Sequence, residues 1–145
     1  MDECLRQRIE RHVLRYVATP SRQFPALRAS GQVDLPLLRL GAQSHPNPRI
    51  RWQCLTVLDH IDGDESVPVF VSTLLGDAVP RVRRHALHAL SCDRCKMSPL
   101  CVDVVPVVAE CLRNDDNAKV RRQARDVLAR YLPDERAARA LAEPS

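Results

Sequence analysis

The densest group of chemically capable side chains lies between residues 85 and 101: His85, His88, Cys92, Cys95 and Cys101. Cys92 and Cys95 form a Cys-x2-Cys pair, and Cys101 follows after five intervening residues. His88 and Cys92 are four apart, so on a helix they share a face. His88, Cys92, Cys95 and Cys101 together suit a tetrahedral Cys3His zinc site. Two other readings stay open. The loop cysteines could be small apolar filler or simply unligated. They could also serve thiol–disulfide chemistry, because Arg94 and Lys96 flank Cys95 and a nearby cation lowers a thiol pKa. The remaining cysteines, Cys4, Cys54 and Cys111, read as core filler.

A second set is basic. Arg49, Arg81 and Lys119 occupy corresponding places in three similar segments, as do Arg84 and Arg122, with Trp52 in the first segment. Such a row suits contact with carboxylates or phosphates, and a Trp beside it is a natural binding anchor. The set expected to touch a partner is Trp52, Arg81, Arg84, His88 and Arg122. Two plainer readings compete: a solvated helix face with ordinary ion pairing, and a Trp52 packed against the N-terminal segment.

Composition narrows the scaffold that must hold these groups. The chain has 145 residues, 45% hydrophobic and 28% charged, which suits one globular domain. Aromatics make up only 3% and glycines number 4, poor figures for a β-sandwich, a dinucleotide-binding fold or a base-stacking platform. No apolar run is long enough to span a membrane, and the charged start Met-Asp-Glu-Cys-Leu-Arg does not read as a secretory signal. Lys plus Arg total 22 against 18 Asp plus Glu, a net +4 that permits an acidic partner without demanding one. Six cysteines without a signal suit a reducing, cytoplasmic setting.

The elements follow from self-alignment. Leu-Pro-Leu-Leu (35–38), Val-Pro-Val-Phe (67–70) and Val-Pro-Val-Val (105–108) each open a segment. A short polar turn then leads to Arg-Ile-Arg-Trp (49–52), Arg-Val-Arg-Arg (81–84) or Lys-Val-Arg-Arg (119–122). Pro36, Pro68 and Pro106 correspond, 32 and then 38 residues apart; the six extra residues fall between Leu90 and Val104, at the cysteines. Each unit reads as helix, turn, helix, with Pro in the first turn of the first helix. The second helices carry one apolar stripe: Ile50, Cys54, Val57, Leu58; then Val82, Ala86, Ala89, Leu90; then Val120, Ala124, Val127, Leu128. One hairpin cannot bury its own stripe, so the units must stack. The expected fold is all-α, a superhelix of three hairpins at 34–63, 64–102 and 103–132. A cap or degenerate repeat covers 1–33, and a polar cap and tail cover 133–145. Helices are expected over 2–17, with Leu5, Ile9, Val13 and Val17 inward, over 21–30, with Pro25 near its start, and over 134–142; the last residues should fray.

On these residues the sequence resembles the HEAT-repeat family, in particular short bacterial HEAT-like repeats, over 34–132. The resemblance implies an α-solenoid whose second helices line the partner-binding surface. It also implies a ladder built from an Asp in each inter-helix turn and an Arg six residues later: Asp77 with Arg83, Asp115 with Arg121, and Arg51 in the first repeat. There His45 stands in place of the Asp, which leaves that edge less well tied or turned to another partner. HEAT-like iron hydroxylases use paired His-Glu sites, and this chain has no His-Glu dipeptide. HEAT-like DNA-repair glycosylases use aromatic clefts with a catalytic carboxylate, of which Trp52 and Asp59 are a thin echo. Bilin lyases need a larger cavity. No phosphate-loop, dinucleotide or nucleophile-elbow motif is present.

The expected function is therefore non-enzymatic: an adaptor that binds a protein partner through its second helices, with an acidic partner and zinc as candidates. The rivals are a nucleic-acid module using the Arg row and a metal- or redox-responsive protein acting through Cys92, Cys95 and Cys101.

Overall fold

The structure is a computed structural model that describes residues 1–19, 23–96 and 98–143. Among these residues all regular secondary structure is helical, without strands. The helices are α1 (Glu3–Val17), α2 (Phe24–Ala29), α3 (Leu35–Ser44), α4 (Pro48–Ile61), α5 (Val67–Gly76), α6 (Pro80–Ser91), α7 (Val105–Asn114), α8 (Ala118–Ala129) and α9 (Glu135–Ala142). Residues 21–22, where the second cap helix was expected to begin, and the final Pro-Ser of the tail lie outside the described residues.

Local chemistry sets the helix starts. Asp34 accepts a bond from the Leu37 N–H and Asn47 from the Arg49 N–H, while Pro36 and Pro48 occupy first-turn positions that need no donor. Asn117 caps α8 through Lys119 N–H, and Asp134 caps α9 through Arg136 and Ala137. Helices α5, α6 and α7 have no side-chain cap and rely on Pro68, Pro80 and Pro106 in the first turn.

The hairpins α3–α4, α5–α6 and α7–α8 stack side by side. First helices pack on first helices, and second helices on second helices. This forms a two-layer solenoid. All twelve stripe residues of α4, α6 and α8 are buried. Each buried Leu or Ile in the stripe contributes roughly 1.5–3 kcal/mol, which a lone hairpin would forfeit. Phe70, Leu74, Val108 and Leu112 close the core from the other layer.

The two ends are sealed differently. At the C-terminus α9 lays Ala137 and Ala140 against α7 and α8. At the N-terminus α1 packs on α3 and α4. Its inward face is Ile9, Val13 and Tyr16 rather than the expected run ending at Val17, which is 46% exposed. Tyr16 wins the place because its ring is buried while its hydroxyl donates to the Gln32 carbonyl at 2.9 Å. Gly41 allows the close approach of α1, α3 and α4: a Cβ there would stand 2.7 Å from Ile9 Cγ2 and 2.8 Å from Cys54 Sγ. Cys54 and Cys111 are core filler as expected, but Cys4 is exposed.

The Arg–Asp ladder is offset by one repeat from the expected pairing. Arg51 donates to Asp77 of the next turn, Nε to Oδ2 at 2.6 Å and Nη2 to Oδ1 at 2.9 Å. Arg83 does the same to Asp115, at 2.7 and 2.8 Å, and adds Asp116. Within its own repeat each Arg reaches only the backbone: Arg83 Nη1 donates to the Asp77 carbonyl, and Arg121 Nη1 to the Asp115 carbonyl. The reason is geometric. The Asp carboxylate is already turned inward as an Asx-turn acceptor, Asp77 for Val79 N–H and Asp115 for Asn117 N–H. Its remaining acceptor capacity faces the preceding repeat. His45 keeps the turn role, its Nδ1 accepting from Asn47 N–H at 3.2 Å, and its Nε2 meets Glu10 of α1 at 3.4 Å. The neighbour on that side is α1, which offers Glu10 where later repeats offer an Arg.

Candidate functional site

The second-helix layer carries an open groove of about 780 Å³ between α6 and α8, with Thr56 of α4 at one end. Arg81, Arg84 and His85 form one wall, Lys119 and Gln123 the other, and His88 sits at the rim. These residues lie here because the apolar stripe, three and four residues apart, turns the intervening positions outward. Arg84 is not free to swing: its Nε donates to Gln123 Oε1 at 2.9 Å, and Gln123 Nε2 donates back to the Arg84 carbonyl at 3.1 Å. That reciprocal pair locks α6 to α8 and holds the guanidinium at the groove. Arg122, expected in the same row, is exposed on α8 but does not line the groove. Gln123 takes that place, one position on.

Trp52 is half-buried rather than a free anchor. Its ring stacks on His85, with centroids 4.7 Å apart and planes at 13°, and the Arg81 guanidinium lies 5.0 Å from the ring centroid. The same Trp lines a recess of about 200 Å³ against Tyr16, Phe24 and His60, so it also faces the N-terminal cap. Burial in this stack first, and then the neighbouring Arg81, His88 and Arg84, push the His85 pKa down to about 4. His85 is thus neutral near pH 7, and the positive charge at the groove comes from Arg81, Arg84 and Lys119.

The second feature is a thiol cluster where α6 ends. Cys92 caps the helix, and Asp93–Cys95 make one 3-10 turn. The turn brings Cys95 Sγ to 3.2 Å from His88 Nε2 and 3.4 Å from Cys92 Sγ. The donor atoms of His88, Cys92 and Cys95 all lie within 4.8 Å of one another. Cys101 does not join them. It is exposed, and its backbone N–H donates to Asp64 Oδ1 at 2.8 Å, which draws that part of the loop toward the preceding turn. The four-ligand Cys3His arrangement is therefore not assembled; three of its members are.

Lys96 does not activate the thiol as its position beside Cys95 suggested. Its ammonium is buried on Asp59, Nζ to Oδ1 at 2.6 Å, with side chains 2% and 3% exposed, and it also donates to the Cys92 carbonyl at 2.9 Å. Burial, the bond from Cys92 and the Asp59 charge push Cys95 up to about 11, with Lys96 a lesser opposing influence. Asp59 Oδ2 also lies 3.6 Å from His88 Nε2. Asp59 and Gln123 are the two residues sequence reasoning did not place at these sites. Asp59 had one signal: it is a carboxylate directly after Leu58, the last residue of the stripe, where a core helix has no use for charge.

Paired helices with their stripes inward and a polar groove on the second-helix layer define an α-solenoid. The family model for HEAT repeats matches residues 35–129, and the chain belongs to the HEAT-repeat family. No curated protein and no solved structure matches it.

Proposed function

We propose that this chain is a non-enzymatic interaction module whose α6–α8 groove receives an acidic segment of a partner protein. HEAT repeats generally mediate protein interaction, and the groove gives that general role a chemistry. The observation that carries the reading is charge: Arg81, Arg84 and Lys119 line the groove, and among the described residues no carboxylate lines it with them. Carboxylates of a bound segment would meet oriented guanidinium donors with little reorganisation, since Gln123 already holds Arg84. The Trp52–His85 stack offers a flat apolar edge beside the charges. The six free cysteines suit a reducing compartment, and we place the protein in the cytoplasm; among the described residues no helix is long and apolar enough to cross a membrane.

The test is calorimetric titration with poly-L-glutamate, run beside duplex DNA of equal charge. The expected result is tighter binding of the polypeptide, weakened about 2- to 30-fold in an Arg84→Ala, Lys119→Ala double variant, from about 0.2–1 kcal/mol for each exposed pair. Tighter binding of DNA with a steep salt slope would transfer the groove to nucleic acid.

A further inference from the structure

We propose that His88, Cys92 and Cys95, with Asp59 as the fourth group, form a binding site for a zinc-class divalent ion. The site lies outside the groove's charged walls and shares only His88 with its rim. It stands independently of the acidic-partner reading.

The geometry is close to what such an ion imposes. A tetrahedral ion with Zn–S near 2.3 Å and Zn–N near 2.0 Å sets S–S and S–N edges of roughly 3.5–3.8 Å. Two of the cluster's edges are 3.4 Å for Cys92 to Cys95 and 3.2 Å for His88 to Cys95, and the third, His88 to Cys92, is within 4.8 Å. A shift of a few tenths of an ångström opens it to the ion. The three residues come from one helix end and the turn it leads into, so their spacing is fixed by local backbone: His88 and Cys92 one turn apart, Cys95 returned by the 3-10 turn. The C-terminal end of α6 adds the negative pole of its helix dipole, which favours a cation there.

Asp59 supplies the second, independent observation. It is a buried carboxylate on the neighbouring repeat, and His88 Nε2, the nitrogen that faces Cys95, is also the one 3.6 Å from Asp59 Oδ2. One imidazole nitrogen thus faces a thiol and a carboxylate at once; Asp59 lies outside the set of mutually close donors that His88, Cys92 and Cys95 form, and its Oδ2 must turn toward the thiols to complete the four. The other oxygen of Asp59 is fixed by Lys96, so the carboxylate is oriented before any ion arrives. Metal uptake releases the two thiol protons to solvent and leaves two thiolates, one imidazole and one carboxylate on the ion. It would pin the six-residue insertion, which has no apolar run of its own, to α4 and α6.

The experiment uses the full chain, reduced and stripped with chelator, titrated anaerobically with Co(II) as the optical probe and then with Zn(II). The expected result is one equivalent of tetrahedral Co(II) with thiolate charge-transfer bands, displaced by one equivalent of Zn(II). Cys95→Ser should abolish the bands, Cys101→Ser should leave them, and Asp59→Asn should weaken Zn(II) binding by about 10- to 100-fold. Far-UV circular dichroism establishes that each variant is folded. Absence of a stoichiometric thiolate spectrum in the native chain would overturn the proposal, as would equal loss from Cys101→Ser and Cys95→Ser. Unchanged Zn(II) affinity in folded Asp59→Asn would remove the carboxylate from the site.

Discussion

Arg51 crosses a repeat boundary to hold Asp77, with two parallel N–H donors on the two carboxylate oxygens at 2.6 and 2.9 Å. Arg83 repeats the bond to Asp115 one hairpin further on. Each Asp is therefore shared: one oxygen organises its own turn, and the carboxylate as a whole anchors the previous hairpin. Packing buries the stripes, but it is this offset bond that fixes how far each hairpin is rotated on the next.

The offset makes the three ladder arginines unequal. Arg83→Ala strands Asp115, whose side chain is only 5% exposed, and should cost about 3 kcal/mol in urea denaturation. Arg121 reaches only the Asp115 carbonyl, so Arg121→Ala should cost about 1 kcal/mol. Arg83→Lys should recover little, because an ammonium cannot make the paired bonds. Equal losses at positions 83 and 121 would contradict the inter-repeat ladder.

Proton linkage should appear in two windows. His85 is neutral when folded, its pKa pushed by burial to about 4 from an ordinary 6.5. Between those values the unfolded chain binds the extra proton, so stability is full above pH 6.5 and falls as pH drops toward 4. Asp115 behaves as an ordinary depressed carboxylate. Burial opposes its ionisation, but the bond from Arg83, with the Asn117 N–H and Asp116 contacts, holds its pKa below 3.8. Its contribution is present above pH 3.8 and is lost as pH falls through the folded value. Urea midpoints measured from pH 7.5 down to about 3 should decline, and His85→Gln should lessen the decline above pH 4 while leaving the acid limb below it.

Two glycines separate packing from propensity. Gly41→Ala must displace Ile9 and Cys54, and the overpacking, about 1–3 kcal/mol, should exceed the roughly 1 kcal/mol of helix propensity regained. At Gly76, the last residue of α5, a Cβ meets nothing within 4 Å, so Gly76→Ala should be neutral or stabilising. Thermal denaturation of the two variants should move Tm in opposite directions, or leave Gly76→Ala unmoved.

The solenoid was legible because its signals are local and repeated: Pro36, Pro68 and Pro106 at helix starts, and a stripe at four-, seven- and eight-residue offsets. The site was legible in part. His88, Cys92 and Cys95 lie within eight residues of one another, and their meeting needs only a helix end and a turn. Cys101 looked equivalent by spacing, yet its backbone is drawn to Asp64, a contact 37 residues away in sequence. Asp59 and Lys96 meet across the same 37-residue separation. Partners across a repeat boundary depend on the rotation between hairpins, which no local pattern encodes. The ladder offset and the replacement of Arg122 by Gln123 at the groove have the same origin.

The account rests on the second-helix layer being the binding face. Amide chemical shifts of the labelled chain, recorded while poly-L-glutamate is added, test it most directly. The shifts should move at Arg81, Arg84, Lys119 and Gln123 on α6 and α8 and stay still along α5 and α7. Movement centred on α5 and α7, with the α6–α8 groove unchanged, would contradict the account.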